Sequence, residues 1–72
     1  MGKLYQLYIT QWRGYKKITL RQLSEMTGIT KTRINDIERG AISPKLDDLC
    51  LIAEALELNT AQLFTCYTAF KS

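Results

Sequence analysis

The sequence predicts an all-α protein, a compact domain of five helices. Apolar residues recur at helical i, i+3, i+4 spacing along most of the chain, as at Leu46, Leu49, Ile52 and Ala53. No segment alternates apolar and polar residues as a half-buried strand does. With 72 residues, 46% of them hydrophobic and 24% charged, the chain can build one small core and does not belong to the disordered class. We therefore treat residues 1–72 as a single domain.

Residues that begin and end helices divide the chain into these five segments. Thr19, Thr30 and Asn59 stand where a side-chain oxygen caps a helix N-terminus. Gly28 and Gly40 stand where a helix ends. The helices are expected over residues 3 to about 14, 20–27, 31 to 38 or 39, 46–57, and 60 to about 67 or 70.

The most informative stretch is residues 19–39, TLRQLSEMTGITKTRINDIER. Two short helical patterns flank Gly28, a Thr precedes each of them, and the small residue Ser24 lies one helical turn before the glycine. Two helices that cross at roughly 90–120° over a short turn need this arrangement. The stretch therefore predicts a helix-turn-helix, whose second helix offers its outer face to the major groove of DNA.

Charge is distributed unevenly along the chain. Residues 1–45 carry nine Lys or Arg against three acids, whereas residues 46–72 carry one Lys against four acids. This division is typical of a protein that offers a basic face to a polyanion and keeps an acidic face turned away from it. An accidental bias on an ordinary solvated surface is the alternative that charge alone leaves open.

The second helix of the motif carries candidate residues for base recognition. At about 100° per residue, Ile34 and Ile37 share its inner side. The candidate base-contacting residues are Lys31, Thr32, Asn35 and Asp36. Lysine can donate to guanine and asparagine can pair with adenine, while an aspartate can accept from cytosine or only repel a wrong approach to phosphate. The alternative interpretation is a polar helix surface with no ligand.

Other side chains on the two helices are suited to the DNA backbone. Arg33 and Arg39 are better placed for phosphates, which position a protein without specifying sequence. Thr19 and Thr30 begin helices whose free N–H groups can hold phosphate oxygens.

From Ile9 to Phe64 the chain resembles the lambda-repressor-like, Cro and Xre-type helix-turn-helix family. The matching pieces are Ile9-x-x-Trp12-Arg13, Thr19, Leu23, Gly28-Ile29-Thr30, Ile34-x-x-Ile37-Glu38-x-Gly40, Pro44-x-Leu46-x-x-Leu49-x-x-Ile52-Ala53-x-Ala55-Leu56 and Leu63-Phe64. The resemblance implies a compact five-helix domain, usually a homodimer that binds a palindromic operator in double-stranded DNA and represses transcription.

The resemblance also implies roles for single residues. Arg13 and Glu38 match a partly buried ion pair that ties the recognition helix to the scaffold. The family's base contacts fall on Lys31, Thr32 and Asp36. Its phosphate contacts fall on Thr30, Arg39 and the loop up to Lys45.

The chain departs from the family pattern at the first residue of the second helix. Many members have a phosphate-binding Gln there, and this chain has Leu20. Arg21, or else Lys17, is the candidate to replace that contact. Lys45 also stands in place of the usual capping Ser or Thr of helix four.

Aromatic and apolar residues near the C-terminus suggest a dimer interface. The candidate interface residues are Leu51, Leu58, Tyr67 and Phe70. The alternative is that a terminal helix folds back and buries its own aromatic side chains. A two-fold dimer would place the two recognition helices roughly 34 Å apart, one turn of DNA.

Several classes of function are disfavoured. The chain has no His and only two Cys, which are not arranged as CxxC, so we expect no metal site and no cofactor. It has no Gly-rich phosphate loop and no base near a nucleophile, so we expect neither an enzyme nor a small-molecule ligand. It lacks a membrane-length apolar run and a signal-peptide pattern, so we expect a cytoplasmic protein. The family resemblance implies a bacterial or phage origin.

The favoured function is a sequence-specific DNA-binding transcriptional regulator, a small dimeric repressor that acts by occluding a promoter. The alternative is a protein-interaction module on the same fold, or a control protein or antitoxin partner, with weak or no independent DNA binding.

Overall fold

The computed structural model of the protein describes residues 5–66. Its elements in chain order are β1 (Tyr5–Leu7), α1 (Ile9–Lys16), α2 (Leu20–Thr27), α3 (Lys31–Glu38), α4 (Leu46–Ala55), a 3₁₀ turn (Thr60–Gln62) and β2 (Phe64–Cys66). The fold is predominantly helical, as predicted, but within residues 5–66 it has four α-helices and a small sheet, so the prediction of five helices and no strand is wrong. No helix in this part of the chain has the length and apolar character needed to cross a membrane.

The N-terminal helix begins later than predicted because the residues before it form a strand. β1 pairs antiparallel with β2, with Tyr5 opposite Cys66 and Leu7 opposite Phe64. The backbone N–H of Tyr8 then donates to the carbonyl of Leu63 at 2.7 Å, which extends the ladder to the start of α1. Three residues are too few to show the period of two by which a strand is recognised in a sequence. A strand this short is stable only when it pairs with a partner, which here lies at the other end of the described residues.

The predicted fifth helix is reduced to one 3₁₀ turn. Asn59 precedes it, and the backbone N–H of Asn59 donates to Oε1 of Gln62 at 2.9 Å. The backbone of Phe64–Cys66 then forms hydrogen bonds with β1 instead of within a helix. The part of the helix prediction that falls on residues 67–70 lies outside the described residues.

The core lies between the helices and is closed by the segment after α4. Its buried apolar residues are Ile9, Leu23, Ile29, Ile34, Ile37, Ile52, Ala53, Leu56 and Leu63. Trp12 and Phe64 are half-buried and pack against this core. The indole Nε1–H of Trp12 donates to the carbonyl of Gln62 at 2.9 Å, so α1 and the 3₁₀ turn are linked by a side chain as well as by the sheet.

Local hydrogen bonds define the turn between α2 and α3. Thr19 and Gln22 form a capping box at the start of α2, with bonds of 3.0 and 2.8 Å. Gly28 ends α2 at a φ of 79°, a left-handed conformation that glycine adopts without strain. The Ser24 hydroxyl donates to the carbonyl of Ile29 at 2.6 Å, which secures the chain as it leaves the turn. These bonds set the direction in which α3 begins.

Two non-glycine residues within residues 5–66 also adopt the left-handed conformation. Lys17 follows α1 with a φ of 59°, and Glu57 follows α4 with a φ of 60°. At the second site the N–H of Leu58 donates back to the carbonyl of Ala53 at 2.8 Å, which satisfies the end of the helix. Both positions carry conformational strain that a glycine would remove.

Glu57→Gly is expected to raise the free energy of unfolding by up to about 1 kcal/mol, because glycine relieves the left-handed strain although it loosens the unfolded chain. Urea denaturation at pH 7 measures the change. Glu57→Gln is the matched control, since it removes the same charge near the negative end of α4 without changing the backbone preference. A glycine variant no more stable than the glutamine variant would contradict the expectation.

Candidate nucleic-acid interface

The outer face of α3 is an exposed polar surface opposite a buried apolar one. Ile34 and Ile37 are fully buried in the core. The residues on the other side are exposed; they are Lys31, Thr32, Asn35 and Arg39. At 3.6 residues per turn these four residues occupy an arc of about 100°, and the eight-residue helix is about 12 Å long. We call these four residues the outer arc.

The first turn of α3 is open to a ligand. The Thr30 hydroxyl caps the helix by accepting the backbone N–H of Arg33 at 3.2 Å. The N–H groups of Lys31 and Thr32 have no acceptor inside an α-helix, and both residues are exposed. Amides of this kind, with the positive end of the helix dipole, suit a phosphate oxygen.

The N-terminus of α2 offers a similar arrangement. Thr19 and Arg21 are exposed there. Arg21 lies 3.4 Å from Glu25, but the two side chains are 78% and 67% exposed, so this pair is weak. The Arg21 guanidinium therefore remains available to an anion.

Asp36 and Arg39 interact with each other at the edge of the outer arc. Arg39 Nε lies 3.3 Å from Asp36 Oδ1. The backbone carbonyl of Asp36 also accepts the N–H of Ala41 at 2.8 Å, which starts the loop toward the exposed Lys45. Arg39 keeps a largely exposed side chain, and base reading by Asp36 stays a prediction.

The C-terminal end of α3 is joined to α1 by a bidentate ion pair. Arg13 Nε and Nη2 lie 2.7 and 3.2 Å from the two carboxylate oxygens of Glu38. The Arg13 Nη1 group also donates to the carbonyl of Ile18 at 3.1 Å. The side chains are only 18% and 8% exposed, so Arg13 is turned inward and is not at the outer arc.

The N-terminal end of α3 is joined to α4 by a second bidentate pair. Arg33 Nη2 lies 2.6 Å from Asp48 Oδ2, and Arg33 Nε lies 3.3 Å from Asp48 Oδ1. The Asp48 Oδ2 atom also accepts the backbone N–H of Lys45 at 2.8 Å, which caps α4. Asp48 is 7% exposed. The phosphate contact that the sequence predicts for Arg33 therefore competes with a carboxylate already bound to it.

The Arg33–Asp48 pair shifts the pKa values of both side chains. The hydrogen bond from Arg33 lowers the pKa of Asp48, the Lys45 amide lowers it further, and burial opposes them. The same hydrogen bond raises the pKa of Arg33. Nothing in the sequence pattern indicates this pair, because a contact across 15 positions between two helices has no spacing signature.

The structure describes two of the four proposed dimer residues, Leu51 and Leu58. Leu51 is 41% exposed on α4. Leu58 is half-buried and packs against the core. Tyr67 and Phe70 lie outside residues 5–66.

Residues 9–63 match the family model described as helix-turn-helix. The chain belongs to the helix-turn-helix family, of the lambda-repressor-like type. A protein of Sinorhizobium fredii is 41% identical over 46 residues, which cover 64% of this chain and 24% of that protein. A protein found in two strains of Mycobacterium tuberculosis is 32% identical over 57 residues, which cover 79% of this chain and 41% of that protein.

Each of these relatives carries the name of an uncharacterized HTH-type transcriptional regulator. The chain matches less than half the length of each.

The Arg13–Glu38 pair should show strong coupling in a double-mutant cycle. Arg13→Met or Glu38→Leu alone leaves a partly buried charge unpaired and is expected to cost about 3 kcal/mol of unfolding free energy, whereas the double variant should cost less than the sum. Chemical denaturation measures all four proteins. The exposed Arg21–Glu25 pair is the control, with an expected coupling below about 0.5 kcal/mol. Additive costs at Arg13 and Glu38 would show that the pair does not hold the helix.

The pH dependence of stability should reveal the Asp48 interaction. Because the folded-state pKa of Asp48 is lowered, its stabilising contribution is fully present above the unfolded-state pKa of about 3.9 and is lost as pH falls through the folded-state value. Wild type should therefore be more stable than Asp48→Asn at pH 7, and the difference should shrink below about pH 4. Urea denaturation of both proteins across this pH range tests the prediction. A stability difference between them that does not change with pH would contradict a stabilising role for ionised Asp48.

Proposed function

We propose that this chain is a sequence-specific, double-stranded DNA-binding transcriptional regulator. The observation that carries the proposal is the outer arc of α3, which is exposed, polar and cationic while both ends of the helix are held by ion pairs to α1 and α4. A helix presented in this way has the dimensions of a major-groove reader. The names of the relatives and the family membership support it.

Base reading is assigned to the outer arc and its edge. Lys31 and Thr32, in the first turn, would reach deepest into the groove, where lysine donates to guanine and threonine contacts a base edge or a thymine methyl. Asn35 lies one turn further and can bond adenine in bidentate fashion. Asp36 would accept from cytosine or exclude other bases.

Phosphate contacts are assigned to the surroundings of this face. The exposed N-termini of α2 and α3 would bind phosphate oxygens through the free backbone N–H groups of the residues that follow Thr19 and Thr30. Arg21, Arg39 and Lys45 would add cations on the flanks. These contacts position α3 without specifying sequence, and they make binding dependent on salt.

We further propose that the regulator acts as a homodimer that occludes a promoter. Two copies related by a two-fold axis would place two α3 helices one DNA turn apart, which requires a palindromic operator. Leu51, Leu58, Tyr67 and Phe70 remain the proposed interface. The bound homodimer would then repress transcription by excluding polymerase from the promoter.

Affinity selection from a random duplex library at roughly physiological salt tests the proposal. Enrichment of an inverted repeat with half-sites about one turn apart is the expected result. Enrichment of a single half-site would support DNA binding and reject the dimer. No enrichment by a protein shown to be folded would reject the function and favour the interaction module.

The assigned roles predict two classes of variant. Asn35→Ala is expected to cost about 1–3 kcal/mol on the selected site and to leave binding to random DNA unchanged. Arg39→Ala should weaken binding to both and flatten the salt slope by about one unit. Fluorescence titrations at several salt concentrations measure both effects.

Asn59→Ala is the matched control, because Asn59 is an exposed asparagine outside α3. Its affinity for either DNA should equal that of wild type. If the Asn35 and Arg39 variants lose affinity in the same proportion on both DNAs, the assignment of base and phosphate contacts is wrong.

A further inference from the structure

We propose that Asp48 is a positioning residue, which keeps the Arg33 guanidinium from binding DNA phosphate and so limits the sequence-independent part of DNA affinity. This inference rests on the DNA-binding function proposed above. It assigns a role to a carboxylate that is not itself on the DNA-binding face. Neither the sequence pattern nor the family resemblance points to this residue.

Arg33 lies at the border between the outer arc and the core side of α3. It directly follows the exposed Thr32, and its own side chain is 34% exposed. An arginine fork binds carboxylate and phosphate with the same bidentate geometry. At this border Asp48 and a DNA phosphate are therefore alternative partners for the same guanidinium.

The position of Asp48 favours the internal partner. Its carboxylate contacts Arg33 at 2.6 and 3.3 Å and is fixed by the Lys45 N–H at 2.8 Å. A carboxylate with three such bonds and 7% exposure does not turn away to solvent. The bond to Lys45 also ties Arg33 to the loop that precedes α4, so one side chain orients both segments of the proposed interface.

Pairing of Arg33 has a consequence for affinity. A free arginine at the edge of the groove would bind any phosphate and would strengthen binding to every sequence. Its neutralisation by Asp48 therefore lowers the affinity for every duplex and makes binding less dependent on salt, while base reading by the outer arc is unaffected. The affinity of the protein for DNA is thereby lower than the number of cations near the interface suggests.

Asp48→Asn tests this role. The amide keeps an oxygen that can accept the Lys45 N–H but lacks the charge that holds Arg33. The salt dependence of binding to a random-sequence duplex should steepen by about 0.9 units, the value for one added phosphate contact, and affinity at 0.1 M salt should rise by about eightfold. The affinity for the specific site should rise by a similar factor, because a phosphate contact does not depend on sequence.

Asp47→Asn is the matched control. Asp47 is an exposed neighbour on the same helix and forms no ion pair within residues 5–66, so this variant changes net charge equally and leaves Arg33 paired. Its salt slope should equal that of wild type. The Arg33→Gln/Asp48→Asn double variant should also return to the wild-type slope, because the freed cation is gone. Circular dichroism and Trp12 fluorescence confirm that each variant is folded.

The outcomes separate the two proposals. A steeper slope in Asp48→Asn alone supports the role of Asp48. If wild type binds duplex DNA and Asp48→Asn has the slope of Asp47→Asn, the role of Asp48 is overturned and the proposed function stands. If folded wild type binds no duplex at low salt, the proposed function fails and the role of Asp48 fails with it.

Discussion

The position of α3 depends on two arginine–carboxylate pairs, one at each end of the helix. Arg33 joins its first turn to Asp48 of α4, and Glu38 joins its last turn to Arg13 of α1. Ile34 and Ile37 seat the helix on the core, but apolar contacts alone tolerate small rotations about the helix axis. Two bidentate contacts in different directions remove that freedom. Partly buried pairs add little net stability, so orientation is the more important consequence.

The same two pairs divide the cations of the protein into internal and external sets. Arg13 and Arg33 are bound to carboxylates with 8% and 10% side-chain exposure. Arg21 and Arg39 make only longer contacts of 3.4 and 3.3 Å and keep most of their surface in solvent. The net charge of residues 1–45 therefore overstates the charge that the protein offers to a polyanion, because two of its arginines are already paired with carboxylates. A count of basic residues does not distinguish an arginine that orients a helix from one that binds a ligand.

Sequence reasoning succeeded where local rules decide the structure. The motif helices α2 and α3 follow from Thr19, Gly28 and Thr30, whose roles as caps and turn residues depend on neighbours within four positions. It failed where the deciding contact is distant. Residues 5–7 form a strand only because residues 64–66 lie beside them, and the short 3₁₀ turn ends where that pairing begins.

The candidate site shows the same division. The exposure of Lys31, Thr32 and Asn35 follows from helical periodicity once Ile34 and Ile37 are placed inward. The partner of Arg33 does not follow from helical periodicity, because the position of α4 relative to Arg33 depends on how α4 crosses α3. Asp48 lies in the first turn of α4, where an acid is common, and only the fold brings it beside the arginine.

NMR mapping of the DNA-bound surface tests whether α3 presents its outer arc to DNA. A ¹⁵N-labelled sample is titrated with a duplex, and the amide shifts of the folded chain are followed residue by residue. We expect the changes to cluster at the first turns of α2 and α3, along the outer arc and in the loop up to Lys45, while the exposed face of α4 around Leu51 shows none attributable to DNA. Changes centred on α4, with α3 unaffected, would contradict the claim that α3 is held in place to present its outer arc to DNA.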